Sequence, residues 1–392
     1  MKFECLLISG TSCSGKKSIA YQLCKNNTSF EQVHVVTTRE KRLDDTIHEY
    51  VSIDIFDDLI NKEDLLVDAE YRGEKYGIRK DEYKRLIDEN KTPILVLAPE
   101  VASKLIYKRN CFYFFFDTEN EILFDRYLTR MGKIETEVKK IEKNKFYDQV
   151  CKDRKYRNLA HYIFDTKNSI ESSVSLIQML WANQEISGPL SQNMIKNMLE
   201  CGVLLKNTDL EMIKGASYDL RLGDEYYYAG KISKLSKTNP FLTIEPYDYA
   251  IVSCKETACM PRDIIAKFGL TVGLFCQGII LSNGTQIDPG FRGTLFCLLF
   301  NTSNRPVHIK RGKHYATIEF NKLIDFAEPY SGKYQDKTNI IDYIPENAMR
   351  GAINELKKEV SNLKKESHIM QNIYLGAMAI MFAIISIFLA IK

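Results

Sequence analysis

Phe3–Ser9 is a short apolar run that breaks at Gly10, and Gly10-Thr-Ser-Cys-Ser-Gly15-Lys16-Lys17-Ser18 then leads into a helical pattern carried by Ile19, Leu23 and Cys24. A buried strand entering a helix through a glycine-rich turn belongs to a layered α/β domain, a parallel sheet with flanking helices. Glycines let successive N–H groups converge on an anion, the helix N-terminus adds a favourable dipole, and a lysine adds a mobile charge. Gly10, Gly15, Lys16 and Ser18 are therefore candidate phosphate-binding residues, and Lys16 a candidate catalytic one. The position after the lysine, where a Ser or Thr usually holds Mg²⁺, carries Lys17.

A chain of 392 residues accommodates two to three folded units. A net charge of +3 argues against a nucleic-acid partner on bulk electrostatics. Ten cysteines occur without C-x-x-C or H-x-E spacing, so no zinc site is expected. Free thiols and the lack of a secretory signal at the start point to a reducing cytosol.

The far end differs in kind. Ile373–Ile391 is an uncharged run of 19 residues, about 28 Å as a helix and so close to the thickness of a bilayer core. Arg350, Lys357, Lys358, Lys364 and Lys365 precede it, which places the rest of the chain on the cytoplasmic side of a single-pass, C-terminal anchor. Between them Ile353, Leu356, Val360 and Leu363 keep a 3-4-3 spacing, either a solvated stalk with one sticky stripe or two heptads of a coiled coil.

The segment after the glycine loop sharpens the N-terminal reading. Val36-Thr37-Thr38-Arg39-Glu40-Lys41-Arg42, then Tyr50, then Gly73-Glu74-Lys75-Tyr76-Gly77 occur in order. Paired arginines with tyrosine hydroxyls suit a phosphate. Together these elements resemble the guanylate kinase family over about residues 1–180. The resemblance implies that Arg39, Arg42, Tyr50 and Tyr76 grip an acceptor monophosphate. It makes Arg126-Tyr-Leu-Thr-Arg130-Met-Gly132 an arginine-bearing lid, with Arg130 as its catalytic candidate, and it implies ATP with Mg²⁺. The family's base-reading carboxylates are replaced by Val67, Val96 and Ala98, which leaves either Asp68 or Glu100 re-aimed at another nucleotide or a relic acceptor site.

After a linker at residues 184–193 the pattern turns to short strands and turns, with strands expected at Asp219–Gly223, Thr243–Ser253, Gly278–Asn283, Thr294–Phe300 and Ala316–Phe320. Gly215-Ala-Ser-Tyr-Asp-Leu-Arg-Leu-Gly223, Pro261-Arg-Asp-Ile-Ile-Ala-Lys267, Gln286-Ile-Asp-Pro-Gly-Phe-Arg-Gly293 and Pro329-Tyr-Ser-Gly-Lys-Tyr-Gln335 resemble the dCTP deaminase and dUTPase family. That resemblance implies nucleotide binding by Arg262, Lys267, Gln286, Lys333, Tyr334 and Gln335, and a role for Asp288 at the sugar or at an attacking water. Deamination in the family needs a glutamate to activate water. Counted from Gly293 its position is Leu298, and Asp263 is the carboxylate left in the 261–267 segment. Members are usually homotrimers, whereas the Ile/Val and Leu pattern of the stalk favours two strands.

The expected architecture is an α/β phosphate-loop kinase-like domain (1–183), a linker (184–193), an all-β dUTPase-like domain (194–345), a helical stalk (346–371) and one transmembrane helix (372–392). The expected function is a membrane-anchored protein of nucleotide metabolism with two phosphate-gripping domains. The alternative is a catalytically weakened sensor or scaffold at the membrane, acting in defence.

Overall fold

The computed structural model describes residues 2–41, 48–132, 136–344 and 352–390. Arg42 lies outside the described residues, as do residue 345, the start of the stalk at residues 346–351 and the last two residues.

The N-terminal region is an α/β layer. Five parallel strands run in the order Phe30–Gln32, Thr92–Val96, Cys5–Gly10, Cys111–Asp117, Tyr162–Asp165. Every residue of Cys5–Gly10 and of Cys111–Asp117 is buried, as expected of parallel strands covered on both faces by helices. A separate four-stranded sheet carries Val35–Thr37, His48–Tyr50, Leu65–Tyr71 and Glu74–Arg79. It carries Tyr50 and Tyr76 of the acceptor motif, and Arg39 lies in the bend that follows Val35–Thr37.

The second half is antiparallel. Ser217–Tyr228, Tyr249–Cys259, Arg292–Asn301 and His314–Lys322 form the spine of a nine-stranded sheet. The single strand expected at Thr243–Ser253 is two strands: Phe241–Ile244 pairs with Val307–Lys310, and Tyr249–Cys259 pairs in the large sheet. Pro246 lacks an N–H and Tyr247 has φ 59°, so the chain turns there and changes partner. Ile264–Leu270, read from sequence only as a motif, is a further strand beside His314–Lys322.

The two regions share one core. Phe3 stacks on Phe112 at 4.6 Å, and Phe326 from the β region packs against His161 at 4.3 Å and Phe3 at 5.6 Å. His161 is held neutral: its Nδ1 accepts the Tyr113 N–H at 2.9 Å, while burial and the nearby Arg262 charge lower its pKa to about 3. The segment read as a linker is pinned, because Lys322 Nζ donates to Asn183 O at 2.7 Å and Gly188–Pro189 pairs with Asn321 and Lys322. The helix Gln192–Glu200 then starts on a cap, Ser191 Oγ accepting the Met194 N–H.

At the centre of this seam sits Asp263, 1% exposed, with Oδ2 accepting the Tyr162 hydroxyl at 2.8 Å. Burial raises its pKa to about 6, against opposing effects of Tyr162 and Lys322. The folded chain therefore holds a proton here that the unfolded chain releases, and stability falls as pH rises from about 4 to about 6. Asp263→Asn is expected to stabilise the protein by up to roughly 3 kcal/mol at pH 7.5 and by almost nothing at pH 4. Chemical denaturation of both chains at the two pH values checks this. His161 is common to both, so the difference isolates Asp263.

The C-terminal helix Ala352–Ala390 is continuous, and its Glu359–Ile387 segment is long and apolar enough to cross a membrane. Its described apolar side chains, among them Ile373, Leu375 and Phe382, are exposed. Val360 and Leu363 are exposed too, and the side chains of Ile353 and Leu356 lie outside the described set.

Candidate functional sites

The glycine loop is built by backbone demand. Gly10 has φ 143°, and a Cβ there would lie 2.0 Å from Phe116 O, so the neighbouring strand leaves room only for hydrogen. Gly15, at φ 82°, caps the helix Lys16–Asn26. Lys16 Nζ folds back on the loop, donating to Gly10 O at 2.7 Å and Thr11 O at 2.5 Å. Its pKa is lowered to about 8: burial is the main cause and Arg72 adds to it, while Asp153, Cys13 and Asp117 oppose. Lys17 and Ser18 are exposed, and Ser18 lines a cavity of about 270 Å³ with Gly15, Arg126 and Asn168.

Within the lid segment the structure separates the two arginines. Arg126 lines the loop cavity and donates to Thr166 Oγ1 at 3.0 Å and Thr166 O at 2.6 Å. Arg130, one turn on, is exposed in the last turn of the helix Asn120–Met131. Arg126 is thus a residue that sequence reasoning passed over in favour of Arg130. The spacing of four puts both near one helix face and does not rank them.

On the acceptor side, Arg39 Nη2 donates to the Tyr50 hydroxyl at 3.3 Å, and its guanidinium lies 5.9 Å from that ring. Tyr76 pairs in register with Thr37, whose Oγ1 accepts the Arg39 N–H at 3.2 Å. Val67 is fully buried in the core, and Ala98 only begins the helix Pro99–Leu105. Glu100 instead lines a cavity of about 420 Å³ with Tyr71, Arg72, Gln149 and Asp153; Asp68 does not.

In the β region a cavity of about 390 Å³ opens between Ile264–Leu270, the 283–291 turn, the start of Arg292–Asn301 and residues 330–343. Lys267, Gln286, Asp288 and Tyr334 line it. Gln286 Nε2 donates to Asp288 Oδ1 at 3.0 Å. The walls are aromatic: Phe291 meets Tyr330 edge-on at 5.4 Å, and Tyr343 stacks on Tyr334 at 5.1 Å.

The other expected residues lie elsewhere. Gln335 accepts the Arg292 N–H at 2.9 Å and donates to Gly290 O at 2.9 Å, clamping residues 330–335 onto the turn. Lys333 is exposed, its Nζ 4.8 Å above the Tyr334 ring. Arg262 donates to Ala327 O at 3.0 Å and to Leu159 O at 3.3 Å, and so holds the domain seam. Asp263 faces Tyr162 across the same seam, which keeps its carboxylate from a base in the cavity. Leu298, half-buried between Ile251 and Ser282, is not among the cavity's lining residues.

A family model described as guanylate kinase matches residues 2–182, and one described as dCTP deaminase-like matches residues 190–323. The dCTP deaminase of Pyrococcus horikoshii is 34% identical over 140 residues, 36% of this chain and 88% of that protein. The dCTP deaminase of Thermococcus kodakarensis is 35% identical over 139 residues, 35% of this chain and 88% of that protein. The crystal structure of guanylate kinase from Anaplasma phagocytophilum aligns with 47% of this chain and 88% of its own at 17% identity and TM-score 0.37. The chain belongs, through its β region, to the dCTP deaminase family, and carries a guanylate kinase-like domain ahead of it.

Proposed function

We propose that this protein binds nucleotides at two places while anchored in a membrane by its C-terminal helix. A nucleoside triphosphate sits on the glycine loop, with an acceptor nucleoside monophosphate gripped by Arg39, Tyr50 and Tyr76. A deoxynucleoside triphosphate sits in the β-region cavity, where it is held rather than deaminated.

The observation that carries this reading is the lining of that cavity. Among the described residues it offers aromatic walls for a base, one ammonium at Lys267 and one carboxylate at Asp288, and no glutamate. Aromatic faces and a cation suffice to bind a nucleotide. Activating water against a ring carbon needs a carboxylate beside that carbon; the family's glutamate position carries Leu298, which is not among the cavity's lining residues.

A guanylate kinase-like domain implies use of a nucleotide with Mg²⁺ in general. The residues here do not fit that ion well. Lys17 brings a like charge to the usual hydroxyl position, and the Asp117 carboxylate beside the loop is held by two nitrogens of Arg154 at 2.7 and 3.0 Å. The side chains at the loop bind and orient phosphate. Arg126 and Lys16 supply the cations, and the 283–291 turn with Tyr334 shapes the second site.

A homotrimer is the expected assembly by family resemblance. The exposed apolar side chains Val272 and Phe275, and Ile280 on the edge strand Ile279–Ser282, support self-association.

The test is incubation of the full chain in detergent with dCTP or ATP plus nucleoside monophosphates, followed by chromatography, and flotation of the chain with lipid vesicles. Retention of dCTP without uracil products, together with co-flotation, is expected. Formation of deoxyuridine phosphates, or a chain left at the bottom of the gradient, contradicts the reading.

A further inference from the structure

The cavity beside the acceptor motif has a floor that the family motifs do not account for. Asp153, near the end of the helix Thr136–Arg154, is 2% exposed and lines it. One carboxylate oxygen, Oδ1, accepts the Tyr71 hydroxyl at 3.3 Å and Gln149 Nε2 at 2.8 Å. The other, Oδ2, is buried with no hydrogen-bond partner among the described residues. A buried acceptor left unpaired costs free energy unless a ligand or water completes it.

The surroundings fix what such a ligand offers. Gln149 spends its amide N–H groups on Asp153 and on the Tyr71 oxygen at 3.4 Å, which leaves its carbonyl as an acceptor. Glu100 adds a second carboxylate, and Arg72, Lys152 and Lys155 complete the lining with cations. An acceptor-rich floor beside cations suits a molecule with N–H donors at one end and an anion at the other.

The cavity also lies in the right place. Tyr71 meets Tyr76 of the acceptor motif edge-on at 6.3 Å. On its other side Asp153 is close enough to Lys16 for its charge to act on that ammonium. It therefore lies between the glycine loop and the phosphate-gripping tyrosine. Burial pushes the Asp153 carboxyl upward, in keeping with a group awaiting a partner.

We infer that Asp153 is the specificity-determining residue of the acceptor site, accepting an N–H from a nucleobase that carries an exocyclic amino group. This rests on the acceptor site proposed above. Asp153 thereby takes over the base reading that Val67 and Ala98 cannot perform.

The test uses the full chain in detergent and measures affinity for guanosine against inosine monophosphate and for cytidine against uridine monophosphate. The wild type is expected to favour the amino-bearing member of each pair by about tenfold. Asp153→Asn places an amide N–H where Oδ2 stood and is expected to abolish or reverse that preference. Lys152→Ala is expected to weaken all four without changing the ratios.

A wild type that does not discriminate within either pair, a ratio unchanged in Asp153→Asn, or no monophosphate binding at all overturns the inference, and the first is independent of how any variant folds. ATP and dCTP affinities of the same samples separate the two claims. If both nucleotides bind while the ratios fail, only the role of Asp153 is wrong; if neither binds, the two-site reading fails.

Discussion

Arg221→Ala is expected to lower the stability of the β region by about 3–5 kcal/mol, the range for breaking one partner of a buried ion pair. Glu256 is fully buried and accepts Arg221 Nε at 2.6 Å, the Arg221 N–H at 3.0 Å and the Tyr218 hydroxyl at 3.1 Å. The Arg221 side chain is 9% exposed and also donates to Asn207 O at 2.6 Å. Its removal leaves the Glu256 carboxylate in a dry interior with only neutral donors, and strips Asn207 of its partner. Replacing both members together, as in Arg221→Met with Glu256→Met, is expected to recover most of the loss, because no uncompensated charge then remains. Urea denaturation of the two variants against wild type measures both effects. A loss below 1 kcal/mol for Arg221→Ala would show that the pair is solvated in solution.

The second large effect concerns the glycine loop. Lys16→Ala is expected to weaken triphosphate binding by about 10- to 100-fold, the scale of losing a charge-assisted hydrogen bond to phosphate. The fold should survive, because the Lys16 ammonium contacts the oxygens of its own loop and not the hydrophobic core. The wild type should also bind triphosphate less well as pH rises through about 8, where the free protein loses the Lys16 charge. The anion favours the charged form, so binding above that pH takes up a proton. Titrations at pH 7 and pH 9, in wild type and in Lys16→Ala, check both points: the pH effect should vanish in the variant.

How far the sequence could be read depended on whether a residue's duty was local. The loop at Gly10 and Gly15 was legible because backbone geometry demands glycine there, and the demand sits within nine residues of chain. Asp288 and Gln286 were legible for a similar reason, lying together in one turn. The break at Pro246 was visible in principle, since proline removes a ladder donor, but the apolar run on either side masked it.

Duties set by distant surfaces were not legible. Arg262 occupies a motif position that the family resemblance assigns to the nucleotide, and Asp263 is the carboxylate beside it. Here both are spent on joining the β region to Leu159 and Tyr162 of the first domain. Nothing in a β motif announces that another domain will cover it. Asp153 was hidden for the opposite reason: it sits in a charged helix whose pattern reads as solvent-facing, and only tertiary packing buries it. Arg126 and Arg130 differ by one helical turn, so choosing between them required the position of Thr166.

The most direct test of the central claim is isothermal calorimetry of the full chain in detergent with ATP and with dCTP, repeated on Lys16→Ala and on Lys267→Ala. Two independent binding events are predicted, with Lys16→Ala suppressing only the ATP heat and Lys267→Ala only the dCTP heat. Absence of heat with both nucleotides, or loss of both through either single variant, contradicts two separate nucleotide sites.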